Sequence, residues 1–88
     1  MNTKKFIEAL TDVVNEYVEA EESYSDDVQL QINTTTWEME IADPENDLLN
    51  CDYYPMMDLV KMSAENPGQW IPDNDAIEEV AAEYVFTD

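Results

Sequence analysis

Histidine and arginine are absent from this 88-residue chain, glycine and cysteine occur once each, and lysine only three times. Without histidine the chain lacks the side chain best suited to proton transfer near neutral pH. With Gly68 as the only glycine there is no loop of the kind that cradles phosphate. Cys51 has no histidine and no neighbouring cation to activate it, so it reads as a structural thiol, and a lone cysteine rules out an intramolecular disulfide framework. Long apolar runs are missing too. Glu8 and Asp12 interrupt the early apolar stretch, so neither a signal nor a membrane span is expected, and the expectation is a cytoplasmic protein without membrane contact. Carboxylate pairs such as Glu38 and Glu40 exist, but among 22 acids they arise by chance. The expectation is a non-enzymatic protein with no cofactor.

What the chain has in quantity is negative charge. Twenty-two acidic residues stand against Lys4, Lys5 and Lys61, for a formal charge of −19. Such an excess can keep a chain from collapsing, but 44% hydrophobic residues in clean periodicities oppose disorder. The length suits one domain with one modest core.

The stretch from Val28 to Ala42 reads as a β-hairpin. Val28, Leu30 and Ile32 alternate with Gln29 and Gln31, and beyond Asn33–Thr36 the alternation resumes with Trp37, Met39 and Ile41 against Glu38 and Glu40. Pairing Ile32 with Trp37 sets Leu30 against Met39 and Val28 against Ile41, with all six apolar side chains on one face. The other face pairs Gln31 with Glu38 and Gln29 with Glu40, so no two carboxylates oppose each other.

Before the hairpin, Phe6, Ile7, Leu10, Val13, Val14, Tyr17 and Val18 recur at helical spacing, predicting a helix from about 3 to 20, capped by Asn2 or Thr3. After it, Asp43–Asp47 is turn chemistry around Pro44. Residues 49–54 alternate as a possible third strand, and a short helical turn follows near Met56–Val60, with Pro55 at its start. Residues 64–73 read as a loop around Pro67-Gly68, with Trp70 and Ile71 tied to the core. A C-terminal helix is predicted from about 74 to 86, with Ala76, Ile77, Val80, Ala81, Tyr84 and Val85 on one side. Asp73, Asn74 or Asp75 can cap it, and Asp75 with Glu78 fits a reciprocal capping pattern. The fold class is α+β: a small antiparallel sheet with helices covering its apolar face.

Asp43, Glu45 and Asp47 begin with the odd-position spacing of a calcium loop, but Leu48 stands where glycine is needed and Tyr54 where the last glutamate belongs. No metal site is assigned. Met56, Met57 and Met62 pack a core or form an adaptable docking patch. Tyr53, Tyr54, Trp70 and Tyr84 close the core rim or, as residue types favoured at interfaces, join that patch.

Charge placement carries more. Glu8, Asp12 and Glu16 lie four apart, as do Asp75, Glu79 and Glu83. Four like-charge pairs at about 0.2–0.5 kcal/mol each subtract about 1–2 kcal/mol from stability, a loss that solubility alone does not require. Carboxylates on successive helical turns stand about 5–6 Å apart, and those at alternate strand positions about 6.6 Å apart. Both spacings match neighbouring phosphates. A rigid surface of this kind can fill the basic groove of a nucleic-acid-binding protein, whose cations pair with carboxylates as they do with phosphates. Direct binding of DNA or RNA is excluded by the sign of the charge. The electrostatic candidates are Glu8, Asp12, Glu16 and Glu19 on the first helix, Glu38 and Glu40 on the sheet, and Asp75, Glu79 and Glu83 on the last helix. In size and charge the chain resembles the small acidic DNA-mimic inhibitors encoded by phages and mobile elements, among them inhibitors of restriction and CRISPR systems. The resemblance implies a non-enzymatic inhibitor of a basic partner and assigns no individual residue. The alternative is an acidic adaptor that meets a protein partner through Tyr53, Tyr54, Met56, Met57 and Trp70, with the charge serving solubility. Short, acidic edge strands favour a monomer.

Overall fold

A computed structural model describes residues 2–42 and 50–86 of the chain. Helix α1 (Thr3–Glu19) is followed by a 3-10 turn at Glu21–Ser23 and strands β1 (Gln29–Asn33), β2 (Met39–Ala42) and β3 (Cys51–Pro55). A second 3-10 turn, Met56–Leu59, leads into β4 (Val60–Met62), then β5 (Trp70–Pro72) and helix α2 (Asn74–Ala82). The α+β class, the hairpin and the third strand follow the sequence pattern. The motif Asp43, Glu45, Asp47 and the start of the predicted third strand at Leu49 lie outside the described residues.

Strand β1 is the centre of a three-stranded antiparallel sheet ordered β2-β1-β3. Its partner register on β2 is Leu30 with Ile41 and Ile32 with Met39, displaced by two residues from the predicted pairing. The turn chemistry explains the displacement. The Asn33 amide donates to the Glu38 carbonyl at 2.9 Å, and the Asn33 carbonyl accepts from the Trp37 amide at 2.7 Å. The Asn33 Oδ1 accepts from the amides of Thr35 and Thr36, at 2.8 and 3.0 Å. Trp37 thus belongs to the turn, with φ at +64°, a conformation that disfavours a bulky side chain. Its ring compensates by packing against Phe86 and Tyr84, at centroid separations of 4.9 and 5.5 Å. A shift of two leaves every side chain on its intended face. Gln31 now stands opposite Glu40, and Gln29 opposite Ala42.

Asn2 caps α1, its Oδ1 accepting from the Lys5 amide at 2.8 Å. Phe6, Leu10, Val14 and Tyr17 form the buried stripe of that helix. The stripe meets Leu30 and Ile32 from the sheet, Met56 and Leu59 from the 3-10 turn, and Ile77, Val80 and Ala81 from α2. Asp73 caps α2, accepting at Oδ1 from the amides of Asp75 and Ala76, so the reciprocal pair Asp75–Glu78 does not form.

Two further departures concern the C-terminal half. The predicted loop 64–73 contains β5, which pairs antiparallel with β4 as Val60–Pro72, Lys61–Ile71 and Met62–Trp70. Helix α2 stops at Ala82, four residues early, and its last turn tightens through i→i−3 bonds from the amides of Glu83 and Tyr84. The chain beyond leaves the helical path. Tyr84 and Phe86 turn their rings onto Phe6, at 5.2 and 5.1 Å, while Val85, predicted to lie on the apolar side, is 98% exposed.

Candidate protein-binding surface

All nine carboxylates singled out from sequence are exposed: Glu8, Asp12, Glu16, Glu19, Glu38, Glu40, Asp75, Glu79 and Glu83. Their placement follows from the packing. On α1, Glu8, Asp12, Glu16 and Glu19 project opposite the stripe of Phe6, Leu10, Val14 and Tyr17. On α2, Asp75 and Glu79 project opposite Ile77, Val80 and Ala81, and Glu83 occupies the C-cap. The sheet pair points elsewhere. Glu40 lies across from Gln31 on the face opposite Leu30 and Ile32, away from the helices. The nine residues therefore do not form one surface: the helical sets flank the helix layer, and Glu38 and Glu40 belong to the far side of the sheet.

The apolar alternative is largely consumed by the fold. Met56 is fully buried in the core and unavailable as a contact residue, which corrects the sequence reading. Trp70 is half-buried against the core, and Tyr54 is engaged in hydrogen bonds. Met57, 38% exposed, accepts a bond at Sδ from the Tyr17 hydroxyl at 3.3 Å. Tyr53 is half-buried on the outer face of the sheet, opposite Gln31.

The sequence reading missed a row of four oxygens that ties β3 to the end of α2. Leu30 lies opposite Tyr54 and Ile32 opposite Asp52, so both residues face the helices. The Tyr54 hydroxyl donates to Glu83 Oε2 at 2.6 Å, the Tyr84 hydroxyl donates to Asp52 Oδ2 at 2.7 Å, and the two hydroxyls stand 2.9 Å apart. Burial, followed by the bond to Glu83, pushes the Tyr54 phenol up to about 12. Burial, followed by the bonds to Tyr54 and Asp52, pushes the Tyr84 phenol up as well. A phenol that holds its proton more tightly when folded contributes stability that is complete below its ordinary value near 10 and is lost as pH rises through about 12. Alkaline unfolding followed by circular dichroism is therefore expected to begin above pH 10, and the Tyr54→Phe/Tyr84→Phe variant to lose stability less steeply with pH than the parent. Equal slopes would show that the row does not hold these protons.

Beside this row runs an open groove of about 240 Å³ between the Met56–Leu59 turn and α2. Leu59, Ala76 and Val80 make its floor, and Tyr54 and Pro55 one wall. Its rim carries Asp58, Glu79 and Glu83, all exposed. Sequence reasoning found two of these acids by their helical spacing but had no signal for Asp58, which reaches the groove only because the 3-10 turn places it across from α2. Among the described residues no group of three or more cysteine, aspartate or glutamate side chains could hold a metal ion, and no helix is long and apolar enough to cross a membrane. No family model matches the chain, and neither a curated protein nor a solved structure matches it.

Proposed function

We propose that this domain binds the basic nucleic-acid site of a DNA- or RNA-binding protein, competing with the nucleic acid by presenting carboxylates where phosphates would lie. The observation that supports this reading is the solvent face of α1. Glu8, Asp12, Glu16 and Glu19 are all exposed along it, and Lys4 and Lys5 stand only at its first turn beside Glu8, with no lysine between or beyond the acids to relieve their repulsion. A fold that tolerates such repulsion gains from it when a cationic surface arrives. Glu38 and Glu40, on the far side of the sheet, take no part in the same contact.

The test is capture of partners at stepped salt, with and without competing duplex DNA. A nucleic-acid-binding protein is expected to be captured, released as salt rises and displaced by DNA. Reversing Glu8, Asp12, Glu16 and Glu19 to lysine is expected to abolish capture, while reversing Glu38 and Glu40 leaves it intact. Capture that survives high salt and ignores DNA would overturn the proposal.

A further inference from the structure

We infer that the groove between the Met56–Leu59 turn and α2 receives an arginine side chain of the partner, an inference that rests on the proposed electrostatic function. The groove combines two features. Its floor of Leu59, Ala76 and Val80 is apolar, and its rim holds three carboxylates with no cation among the lining residues. An apolar floor alone would take any hydrophobic side chain, and carboxylates alone would take any cation. Together they match a side chain with an apolar stem and a charged, planar head. At about 240 Å³ the space falls below the roughly 300–1,000 Å³ typical of small-molecule sites, which suits a single side chain.

Arginine fits better than lysine on two grounds. Its guanidinium is weakly hydrated and presents a fork of donors to more than one carboxylate, whereas an ammonium is a compact, strongly hydrated point charge. The Tyr54 ring also forms part of the wall, and guanidinium groups stack on aromatic faces. Glu83 is held in place beforehand, because Tyr54 donates to its Oε2 at 2.6 Å, leaving Oε1 for the guest. That restraint lowers the ordering cost when the side chain enters. Asp58 and Glu79 supply the remaining charge from opposite sides of the groove.

The experiment is a nuclear magnetic resonance titration of the full chain with N-acetyl-arginine amide, the corresponding lysine compound, and the neutral isostere N-acetyl-citrulline amide. Arginine is expected to shift the signals of Leu59, Ala76 and Val80 saturably, lysine more weakly, and citrulline not at all. Asp58→Asn and Glu79→Gln, both at exposed positions outside the tyrosine row, are each expected to weaken arginine binding about fivefold. The inference is overturned if arginine shifts the solvent face of α1 as strongly as the groove, if citrulline competes equally, or if neither substitution matters. This result is separable from the wider proposal. Loss of partner capture on reversing the α1 carboxylates, with no arginine bound in the groove, overturns the groove alone. Saturable arginine binding without a DNA-displaceable partner supports the groove alone.

Discussion

Replacing Phe6 with alanine is expected to lower the unfolding free energy by about 3–5 kcal/mol, the range for removing a large aromatic side chain from a packed interior. Phe6 is fully buried and lies 5.8, 5.2 and 5.1 Å, centroid to centroid, from Trp37, Tyr84 and Phe86. These partners come from the hairpin turn and from the segment after α2, so the cavity left by alanine loosens three parts of the chain together. At roughly 0.05–0.15 kcal/mol per residue, a domain of this length has about 4–13 kcal/mol in all. The substitution thus removes between about a quarter and all of it. Urea denaturation is the measurement: the midpoint should fall sharply with an unchanged slope. Val85→Ala, at a site 98% exposed in the same segment, should change the unfolding free energy by less than about 0.5 kcal/mol. A Phe6→Ala loss below about 1 kcal/mol would mean that the four rings do not form a common core.

Asp12→Lys is expected to push stability and binding in opposite directions. Asp12 is exposed and stands one turn from both Glu8 and Glu16. Lysine there replaces two repulsive pairs with two attractive ones, stabilising the fold by about 1–2 kcal/mol at low ionic strength. The same change is expected to weaken partner capture about tenfold, since it converts one attraction into a repulsion on the contact face. Salt separates the two effects. Raising ionic strength should stabilise the parent chain, by screening its self-repulsion, while weakening its hold on the partner. A variant that is more stable and binds equally well would show that the α1 charge serves no contact.

Much of the architecture was legible in the sequence because the signals were periodic. Seven apolar residues at helical spacing marked α1, and the alternation of Val28 to Ile32 and Met39 to Ile41 marked the hairpin. The misreadings arose where a few local hydrogen bonds outweighed periodicity. Trp37 continued the alternation on paper, but the Asn33 side chain captured the amides of Thr35 and Thr36 and drew Trp37 into the turn. Strands β4 and β5 are three residues each, too short for alternation to register, and only their pairing reveals them. Tyr84 fitted the helical pattern of α2 and Phe86 marked its expected end, but both belong instead to the ring cluster around Phe6. The carboxylates were easy to find and hard to group, since helical spacing says which acids share a helix face but not which faces share a side of the molecule. Asp58 had no periodic partner at all.

The contact between Phe6 and Phe86 also bears on how fast the domain forms. Helix α1 meets Tyr24 just beyond it through the Tyr17 ring, but most of its packing is against β2, the Met56–Leu59 turn, β5 and α2, so much of its apolar stripe stays uncovered until segments far along the sequence return to it. Such distant closures carry a large entropic barrier and place folding toward the slower end for small domains. During that interval an exposed amphipathic helix invites chain-to-chain association. A charge of −19 opposes it, because unfinished chains repel one another before the stripe is covered. The acidity that strains the finished fold thus protects its assembly, as a kinetic chaperone carried within the sequence.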